Sequence, residues 1–242
     1  MRWAIVSDIH ANLEALEAVL ADLQRERPEA LVCLGDFVGY GASPNECIAR
    51  LRPGLAAAVA GNHDFAAVGR ARLGSFSGDA ATAARWTGTQ LTPEHRDYLL
   101  SLPLTVRWRG TLLVHASPAL PESWAYVLSP LDAEEELEAF DEALGFIGHS
   151  HYPGAFIRDG AGVIHYTREA AIAIQPGCRY LVNVPSVGQP RDGDARAGYL
   201  IVDEEARALR QVRLPYDVGG AMRRIRDAGL PRFLSERLMA GE

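Results

Sequence analysis

Lysine is absent from the sequence, so all 24 basic residues among its 242 positions are arginine. This absence excludes enzymes that form a Schiff base with their substrate through a lysine side chain. It also excludes a Walker-type phosphate-binding loop, because that loop needs a lysine to reach the nucleotide phosphates. The sequence therefore points away from two large classes of lysine-dependent enzymes.

Cysteine is scarce, and long apolar runs are missing. Cys33, Cys47 and Cys178 are odd in number and widely spaced, so they match neither a zinc-finger pattern nor a set of disulfides, which favours a reducing cytoplasm. No segment approaches the ~18 apolar residues of a membrane-spanning helix. The first apolar run is interrupted by Ser7 and Asp8, so we expect neither a signal peptide nor a membrane anchor.

Basic residues are fewer than acidic ones, 24 against 31. The formal net charge is -7, which argues against a stable complex with nucleic acid, since such complexes depend on basic surfaces. The length suits one large domain or two small ones. Because no linker, repeat or low-complexity tract divides the chain, we expect residues 1–242 to form a single domain.

What the sequence does contain is centred on Asp36. The apolar run 30–34 predicts a buried strand, and Gly35 lets the backbone turn directly after it. A carboxylate that leaves the carboxyl end of a buried strand lies where open α/β sheets bind their ligands. A turn or helix-cap aspartate is the alternative interpretation when Gly35-Asp36 is considered alone.

Four further apolar runs are also followed directly by a possible metal ligand. This repetition favours a ligand role for Asp36 over a role in a turn or a helix cap. Each run is followed by side chains with a metal-binding oxygen or imidazole nitrogen: Asp8 and His10, Asn62 and His63, His115, and His149 and His151. The separations leave room for a crossover unit between successive runs. We therefore expect the carboxyl ends of several strands to meet at one site.

The first half of the chain has the pattern of βαβ units. Apolar spacing and capping residues predict helices at 13–24 and 44–51, and the alanine-rich stretch 65–102 predicts two or three more. Strands at 104–107 and 111–115 are expected to form a hairpin. The acidic run 132–142 is expected to be the solvated face of a helix.

From residue 144 onward short strands predominate. Turns such as Asp159-Gly160 separate them and predict an antiparallel meander with strands at 144–147, 154–158, 162–167, 171–174, 180–184, 197–203 and 207–214. Two amphipathic helices, 218–228 and 231–239, close the chain. Two sheets packed face to face with helices outside, an α/β (α+β) fold, accommodate both halves.

The chemistry of the ligands favours transition metals. Oxygen and imidazole ligands without thiolate suit Mn, Fe, Zn, Ni or Co better than a soft-metal site. Seven ligands are too many for one tetrahedral zinc ion, but they suit two ions about 3.5–4 Å apart that share a bridging carboxylate. We expect Asp36 to be this bridge.

These motifs resemble those of the calcineurin-like metallophosphoesterase superfamily. The resemblance is carried, in order, by Asp8-x-His10, Gly35-Asp36, Gly61-Asn62-His63-Asp64, His115 and Gly148-His149-x-His151. The stretch 186–192 resembles the small bacterial phosphodiesterase branch of that superfamily. Residues beyond 192 carry no motif of the family.

The resemblance implies a fold, two metal sites and an acid. The implied fold is a four-layer αββα sandwich of two mixed sheets flanked by helices. The implied ligands are Asp8, His10, Asp36 and His151 for one ion, and Asp36, Asn62, His115 and His149 for the other. His63 is implied to donate a proton to the leaving oxygen, with Asp64 as its partner; the alternative is that His63 only orders its loop.

Charge at such a site favours a small anionic substrate. Two divalent ions would bring four positive charges and the carboxylates of Asp8 and Asp36 two negative ones, while the other ligands are neutral. The net charge of the site would therefore be about +2 before water binds. A metal-held water can be hydroxide near neutral pH and can attack phosphorus in line. We expect two divalent ions, with manganese first among them, and we expect Asn62 to contact the substrate as well as a metal.

One departure from the superfamily narrows the substrate. Protein serine/threonine phosphatases carry Asp-Arg where this chain has Gly39-Tyr40, so their phosphate-clamping arginine is missing. Small phosphodiesters or phosphomonoesters are therefore favoured over phosphoproteins. Arg191 is the candidate for a bidentate phosphate contact from another loop. The alternative for Arg191 is an ion pair within its turn.

Two other functions stay open from the sequence. A dinucleoside polyphosphate hydrolase would need a longer cleft with stacking side chains, which Trp86, Trp124 and Tyr126 could line. A non-catalytic interaction scaffold of the same fold would have lost metal ligands, whereas all seven are present here. The sequence is also compatible with a homo-oligomer.

Overall fold

The computed structural model describes residues 1–242, except for the side chain of Ser75. Its strands, in chain order, are β1 Arg2–Val6, β2 Ala30–Cys33, β3 Leu55–Ala58, β4 Thr105–Trp108, β5 Thr111–Val114, β6 Leu144–Ile147, β7 Gly154–Arg158, β8 Ile164–Thr167, β9 Ala171–Ala173, β10 Arg179–Asn183, β11 Ala197–Asp203 and β12 Ala208–Leu214. Its α-helices are α1 Leu13–Glu26, α2 Pro44–Leu51, α3 Asn62–Ala67, α4 Gly78–Gln90, α5 Pro93–Ser101, α6 Pro130–Glu138, α7 Val218–Asp227 and α8 Arg232–Ala240.

The strands form two six-stranded sheets. Sheet one has the order β3-β2-β1-β11-β12-β9, and sheet two has the order β4-β5-β6-β10-β7-β8. Both sheets are mixed: β1, β2 and β3 run parallel to one another, as do β5, β6 and β10, while the remaining pairs are antiparallel. The two sheets flanked by helices confirm the predicted αββα architecture.

The alternation of side chains along β1 shows how the layers pack. Trp3 and Ile5 point to the core between the sheets, where they join Phe146 and Tyr180 of sheet two. Their neighbours along the strand pack on the opposite face against helices α1 and α2. Because successive strand residues face opposite sides, β1 is buried on both faces, and its apolar run has no polar interruption.

The antiparallel meander predicted after residue 144 is only partly right. The β7–β8 and β11–β12 hairpins form as expected. However, β6 pairs in parallel with both β5 and β10, and β9 joins β12 in sheet one. The physical reason is burial: the short apolar segment of β6 is covered on both sides, which suits a central parallel strand better than a meander edge.

Helix ends follow local capping chemistry. Helix α1 begins where the Asn12 side chain accepts a hydrogen bond from the Ala15 N–H at 3.1 Å. Helix α6 begins with a capping box between Ser129 and Asp132. Among the described residues no helix is long and apolar enough to cross a membrane.

The alanine-rich insertion packs against the end of the chain. Ala80 and Ala83 of α4 form a buried cluster with Ile225 of α7 and Leu238 of α8, and Tyr40 belongs to the same cluster. The three helices therefore make one wall beside the loop that follows β2.

Candidate metal centre

The predicted ligands lie in the connections that follow β1, β2, β3, β5 and β6. The two sheets meet at this edge. Asp8 follows β1 of sheet one, and its Oδ1 atom lies 3.2 Å from the backbone N–H of His149, which follows β6 of sheet two. A bridge between Ser7 and Ser186 joins the loop after β1 to the segment that leaves β10. Strand ends of both sheets thus converge on one site, as the sequence predicts.

The backbone at these strand ends is strained. Asp8, His10, Asp36, His149 and His151 all have positive φ values between 49° and 63°. Such values are uncommon for residues other than glycine and cost free energy, so the surrounding structure must hold them in place. Strain of this kind concentrated on candidate ligands is typical of a functional site.

Two glycines allow the close approach. A Cβ atom at Gly61 would lie 2.0 Å from Oδ1 of Asp36, and one at Gly148 would lie 2.1 Å from Oγ of Ser7 and 2.6 Å from Oδ2 of Asp8. Only a residue without a side chain fits at either position. These two glycines therefore belong to the site although they contribute no ligand atom.

The first group of candidate ligands comprises Asp8, His10 and His151. Nε2 of His151 lies 3.2 Å from Oδ1 of Asp8, and the two Nε2 atoms of His10 and His151 are 3.1 Å apart. All three residues are buried. Their ligand atoms lie within 4.8 Å of one another, a separation that one metal ion can span.

The second group comprises Asp36, Asn62, His115 and His149. Nε2 of His115 lies 3.3 Å from Oδ2 of Asp36 and 3.2 Å from Oδ1 of Asn62. Asp36, His115 and His149 again place their ligand atoms within 4.8 Å of one another. This group is the second set implied by the family motifs.

Asp36 lies between the two groups. Its Oδ2 atom is 3.6 Å from Nε2 of His10 in the first group and 3.3 Å from Nε2 of His115 in the second. Its Oδ1 atom accepts a hydrogen bond from the backbone N–H of His63 at 2.9 Å. Oδ2 is buried and, among the described residues, has no hydrogen-bond partner.

Backbone carbonyls fix the orientation of three imidazoles. Nδ1 of His10 lies 3.2 Å from the Val38 carbonyl, and Nδ1 of His115 lies 2.7 Å from the Leu34 carbonyl. His151 makes the same kind of contact with the carbonyl of Gln189. Because a carbonyl only accepts, each Nδ1 carries a proton, and Nε2 is the nitrogen that is left to bind a metal.

The site fits two divalent ions. An unpartnered buried carboxylate oxygen, a close pair of Nε2 atoms and neutral amide and imidazole donors are all explained by cations at these positions. Without such cations, burying these groups together would cost free energy. The donor set contains nitrogen and oxygen but no sulfur, which suits the metals predicted from the sequence.

The electrostatics of the site keep the carboxylates charged. Burial by itself raises the pKa of Asp8 and of Asp36, but the neighbouring imidazoles, His151 for Asp8 and His115 for Asp36, hold both pKa values well below the usual range. Burial lowers the pKa of His149 to about 3. Burial also opposes charge on His115, yet Asp36 raises the pKa of His115 to about 9, so this imidazole must release a proton when it binds a metal.

His63 and Asp64 lie in different environments. The His63 ring lies 4.3 Å from the Tyr40 ring and 4.9 Å from the Phe76 ring, and its Nδ1 has no partner among the described side chains. Asp64 instead accepts hydrogen bonds from the backbone N–H groups of Val38 at 3.2 Å and Gly61 at 3.0 Å. The Asp64 side chain is therefore not the hydrogen-bond partner of the His63 ring that the sequence had suggested. Instead, Asp64 links the loops that follow β2 and β3.

A cavity of about 410 Å³ opens beside the two ligand groups. His63, Arg191, Trp124 and Tyr126 line it together with ligand residues. Tyr126 stacks on His149 with ring centroids 4.3 Å apart and an angle of 17° between the planes. Trp86, the third aromatic residue considered from the sequence, packs instead with the cluster of α4, α7 and α8.

Arg191 lines the cavity and does not form the ion pair within its own turn that was the alternative prediction. Its terminal nitrogen donates to the Tyr40 hydroxyl and to Oε1 of Gln189, each at 3.2 Å. The neighbouring Asp192 pairs with Arg213 at 2.6 Å instead. Arg191 thus approaches Gly39-Tyr40, the position at which the protein phosphatases carry their arginine, from a different loop.

Two residues of the site were missed by sequence reasoning. Glu136 lies in the acidic run predicted to be solvated, but it is buried and accepts hydrogen bonds from Oγ of Ser117 at 2.9 Å and from the Ala119 N–H at 2.8 Å. It thereby anchors the loop that carries Trp124 and Tyr126. Arg237 of α8 lines the cavity from a region without any motif. Neither residue has a local signal, because each acts through contacts distant in sequence.

Comparison with known proteins agrees with this geometry. The model of the calcineurin-like phosphoesterase superfamily domain matches residues 1–207. The uncharacterized protein MJ0912 of Methanocaldococcus jannaschii is 38% identical over 242 residues, which cover 98% of this chain and 97% of that protein.

Two solved structures share the fold over the whole chain. The crystal structure of a metallophosphoesterase from Sphaerobacter thermophilus is 40% identical, covers 100% of this chain and 99% of its own, and superposes with a TM-score of 0.89. The hypothetical protein PH1004 from Pyrococcus horikoshii OT3 is 20% identical, with a TM-score of 0.80 over 100% of this chain and 98% of its own, and this likeness shows the fold alone. With the family matched over most of its length and its candidate ligands gathered at one edge of two sheets, the chain belongs to the calcineurin-like phosphoesterase superfamily.

Proposed function

We propose that the protein is a two-metal phosphoesterase that hydrolyses small phosphodiesters or phosphomonoesters. The observation that carries this proposal is the position of Asp36, whose unpartnered Oδ2 atom lies within 3.6 Å of imidazole nitrogens from both ligand groups. A carboxylate in this position suits a bridge between two ions. When bound, the ions would activate water for attack on phosphorus and bear charge on the phosphoryl oxygens.

The chain's own residues supply the rest of the reaction. Asp8, His10, Asp36 and His151 would hold one ion, and Asp36, Asn62, His115 and His149 the other. Asn62 also lines the cavity, so its amide is placed to contact the phosphoryl group. Arg191 lines the same cavity and would bind a phosphate of the substrate, because a guanidinium fork matches two phosphate oxygens at once.

His63 would protonate the leaving oxygen. It lines the cavity, and its Nδ1 atom has no partner among the described side chains. Burial lowers the pKa of His63 to about 4, partly offset by Asp36, so the free protein favours a neutral ring. A bound phosphate anion would raise this pKa again, because negative charge stabilises the imidazolium.

Other features extend the proposal. We place the protein in the cytoplasm as a single domain over residues 1–242, with manganese as the first metal to test. The free state of Cys33, Cys47 and Cys178 supports a reducing compartment. Gly39-Tyr40 supports small esters over phosphoproteins, because the arginine that clamps phosphate in the protein phosphatases is replaced.

A dinucleoside polyphosphate hydrolase is the second candidate. Trp124 and Tyr126 line the same cavity as the ligand residues, and such side chains could stack on a nucleobase. An interaction scaffold is disfavoured, because six of the seven candidate ligands fall in groups whose ligand atoms are close enough to hold a metal ion.

The test is a hydrolysis screen combined with metal analysis. The purified protein is loaded in turn with Mn, Ni, Co, Fe and Zn and offered a monoester, a diester, cyclic nucleotides, a dinucleoside polyphosphate and a phosphoserine protein. We expect small esters, diesters above all, to be turned over fastest. Turnover of the phosphoprotein above every small ester would contradict the proposed substrate class.

Asp36→Asn tests the shared carboxylate directly. We expect it to lower the metal content at both sites and to abolish turnover, because the Asp36 carboxylate would be shared by the two ions. Asp141→Asn, an exposed loop change, is the matched control and should retain two ions. A single tightly bound ion that Asp36→Asn leaves in place would overturn the two-metal proposal.

A further inference from the structure

Two arginines from distant parts of the chain converge on one aromatic ring in the cavity. The guanidinium carbon of Arg191 lies 5.8 Å from the centre of the Tyr40 ring, and that of Arg237 lies 5.9 Å from the same centre. Arg191 belongs to the loop between β10 and β11, and Arg237 belongs to α8. Both line the cavity beside the metal ligands.

Neither arginine is neutralised by a carboxylate side chain. Within the part of the chain that the structure describes, no Asp or Glu side chain lies within 4.0 Å of either guanidinium, whereas Arg213 pairs with Asp192 at 2.6 Å. Arg191 donates only to the neutral oxygens of Tyr40 and Gln189, and its buried Nε atom has no partner among the described residues. Nε of Arg237 donates to the main-chain carboxylate of Glu242, the last residue of the sequence, which offsets part of its charge. Its two terminal nitrogens have no hydrogen-bond partner among the described residues.

Holding these charges together costs free energy. Burial lowers the pKa of Arg237 and the nearby Arg191 lowers it further, whereas burial opposes charge on Arg191 but Tyr40 raises the pKa of Arg191. A bound anion would remove this cost and fill the free donors. Paired guanidiniums with open donors therefore suit the binding of an anion better than a structural role.

The fold holds the pair in position. The Gly193 N–H donates to the Gly241 carbonyl at 3.0 Å, which ties the end of α8 to the loop that carries Arg191. A Cβ atom at Gly241, where φ is 68°, would lie 2.8 Å from the Asp194 nitrogen. This close packing means that the binding geometry exists before any ligand arrives, which lowers the entropy cost of binding.

Tyr40 also adjoins the reaction site. Its ring lies 4.6 Å from the His10 ring and 4.3 Å from the His63 ring. One cavity is thus lined both by ligand residues, including Asp36 and His151, and by the two arginines. A phosphoryl group held at the metal ligands leaves the arginines available for a second group of the same molecule.

We propose that Arg191 and Arg237 bind a second phosphate of the substrate, so that the preferred substrates are small esters with one phosphate to cleave and another to anchor. This inference rests on the proposed phosphoesterase function. Two guanidinium forks suit a phosphate dianion, because each can donate two parallel hydrogen bonds. Aromatic side chains in the same cavity leave room for a nucleoside between the two phosphates.

A pair of substrates with one leaving group tests this specificity. The pair is thymidine 5′-(4-nitrophenyl phosphate) with and without a 3′-phosphate, assayed with the metal-loaded protein. The wild type should show a kcat/KM at least about tenfold higher for the bisphosphate, a ratio typical of hydrogen bonds to charged groups. Arg237→Gln should abolish this ratio, because it should lower kcat/KM much more for the substrate with the 3′-phosphate than for the one without it.

Two further variants separate binding from structure. Arg232→Gln lies on the exposed side of the same helix, where Arg232 pairs with Glu236, and should retain the wild-type ratio. Arg237→Lys keeps the charge but loses the planar fork, so it should recover part of the ratio. A wild type without preference, or an Arg237→Gln protein that loses activity equally on both substrates, would overturn the proposal.

A binding measurement keeps this test distinct from the proposed function. Calorimetry on the metal-loaded protein should show that thymidine 3′,5′-bisphosphate binds at least about tenfold more tightly than thymidine 5′-monophosphate, and that Arg237→Gln removes the difference. Equal affinities in the wild type would refute the second-phosphate site even if esters are hydrolysed. A clear difference without hydrolysis of any ester would refute the phosphoesterase function and retain the site.

Discussion

At the scale of single residues, the neighbouring positions Asn62 and His63 separate metal binding from proton transfer. The Asn62 amide oxygen lies 3.2 Å from Nε2 of the candidate ligand His115, while the His63 ring packs against Tyr40 and lines the cavity. His63 also has a ring nitrogen that lies within 4.8 Å of ligand atoms of His10 and Asp36, so its two roles must be separated by experiment. Its position suits a group that protonates the leaving oxygen, a role that matters most for a poor leaving group.

His63→Ala should keep both metal ions and lose activity selectively. We expect a loss of about 10²–10⁴-fold on an alkyl or nucleoside ester, because removing a general acid has effects of this size. The loss on a nitrophenyl ester should be much smaller, because nitrophenolate leaves without protonation. Metal analysis and kcat measurements with both esters check the prediction; equal losses, or loss of an ion, would assign His63 a structural or ligand role.

At the scale of secondary-structure elements, one carboxylate links helix α1 to strand β11. Oδ2 of Asp22 accepts a hydrogen bond from the Tyr199 hydroxyl at 2.7 Å, and Oδ1 accepts one from Arg25. Burial raises the pKa of Asp22, but these hydrogen bonds outweigh it, so the net pKa is lower than usual. The contact therefore stabilises the fold above the unfolded pKa of about 3.9 and ceases to do so as the pH falls through the lower folded value.

Tyr199→Phe tests this link between α1 and β11. The variant should lose about 1.5–3 kcal/mol of unfolding free energy at pH 7, the range for hydrogen bonds to charged groups, and clearly less at pH 3. Urea unfolding at the two pH values measures both losses. Tyr180→Phe is the control, because that hydroxyl contacts only the backbone of Gln175 and Ala173, so its cost should not depend on pH. A pH-independent cost at Tyr199 would contradict the assignment.

The elements also show what sequence reasoning can reach. Helix α1, predicted at 13–24, spans Leu13–Glu26, because an amphipathic stripe and the Asn12 cap are local signals. The candidate ligands were found because each follows an apolar run directly. The sheet that each late strand joins could not be predicted, since β9 and β10 follow each other in the chain but belong to different sheets. Glu136 and Arg237 depend on tertiary contacts and have no local pattern at all.

At the scale of the whole molecule, the candidate ligands come from connections in both sheets. Asp8, Asp36 and Asn62 follow strands of sheet one, while His115, His149 and His151 follow strands of sheet two. Ions bound among them would tie the two sheets together at one edge. Metal binding should therefore contribute to the stability of the entire fold, because these ligands are brought together only in the folded state.

Chelation should lower the melting temperature. At a free metal concentration 100-fold above Kd, one site contributes about 2.7 kcal/mol, which corresponds to about 5–10 °C in a chain of this length. Calorimetric melting of metal-loaded and chelator-treated protein measures the shift. Asp36→Asn should shrink the shift and Asp141→Asn should not; a melting temperature unaffected by chelator would contradict the expected coupling between metal binding and folding.

The strand order has a further consequence for how the chain is made. Strand β1 pairs on one side with β2 and on the other with β11, almost 200 residues later. During synthesis on the ribosome, β1 and β2 can pair early, but the other edge of β1 must wait for residues 197–203. Until then its backbone groups are open to pairing with another chain, so a nascent or truncated protein is the form most exposed to aggregation. The loop that carries Arg191 emerges just before β11, so the strand that closes this edge directly follows a segment that lines the cavity.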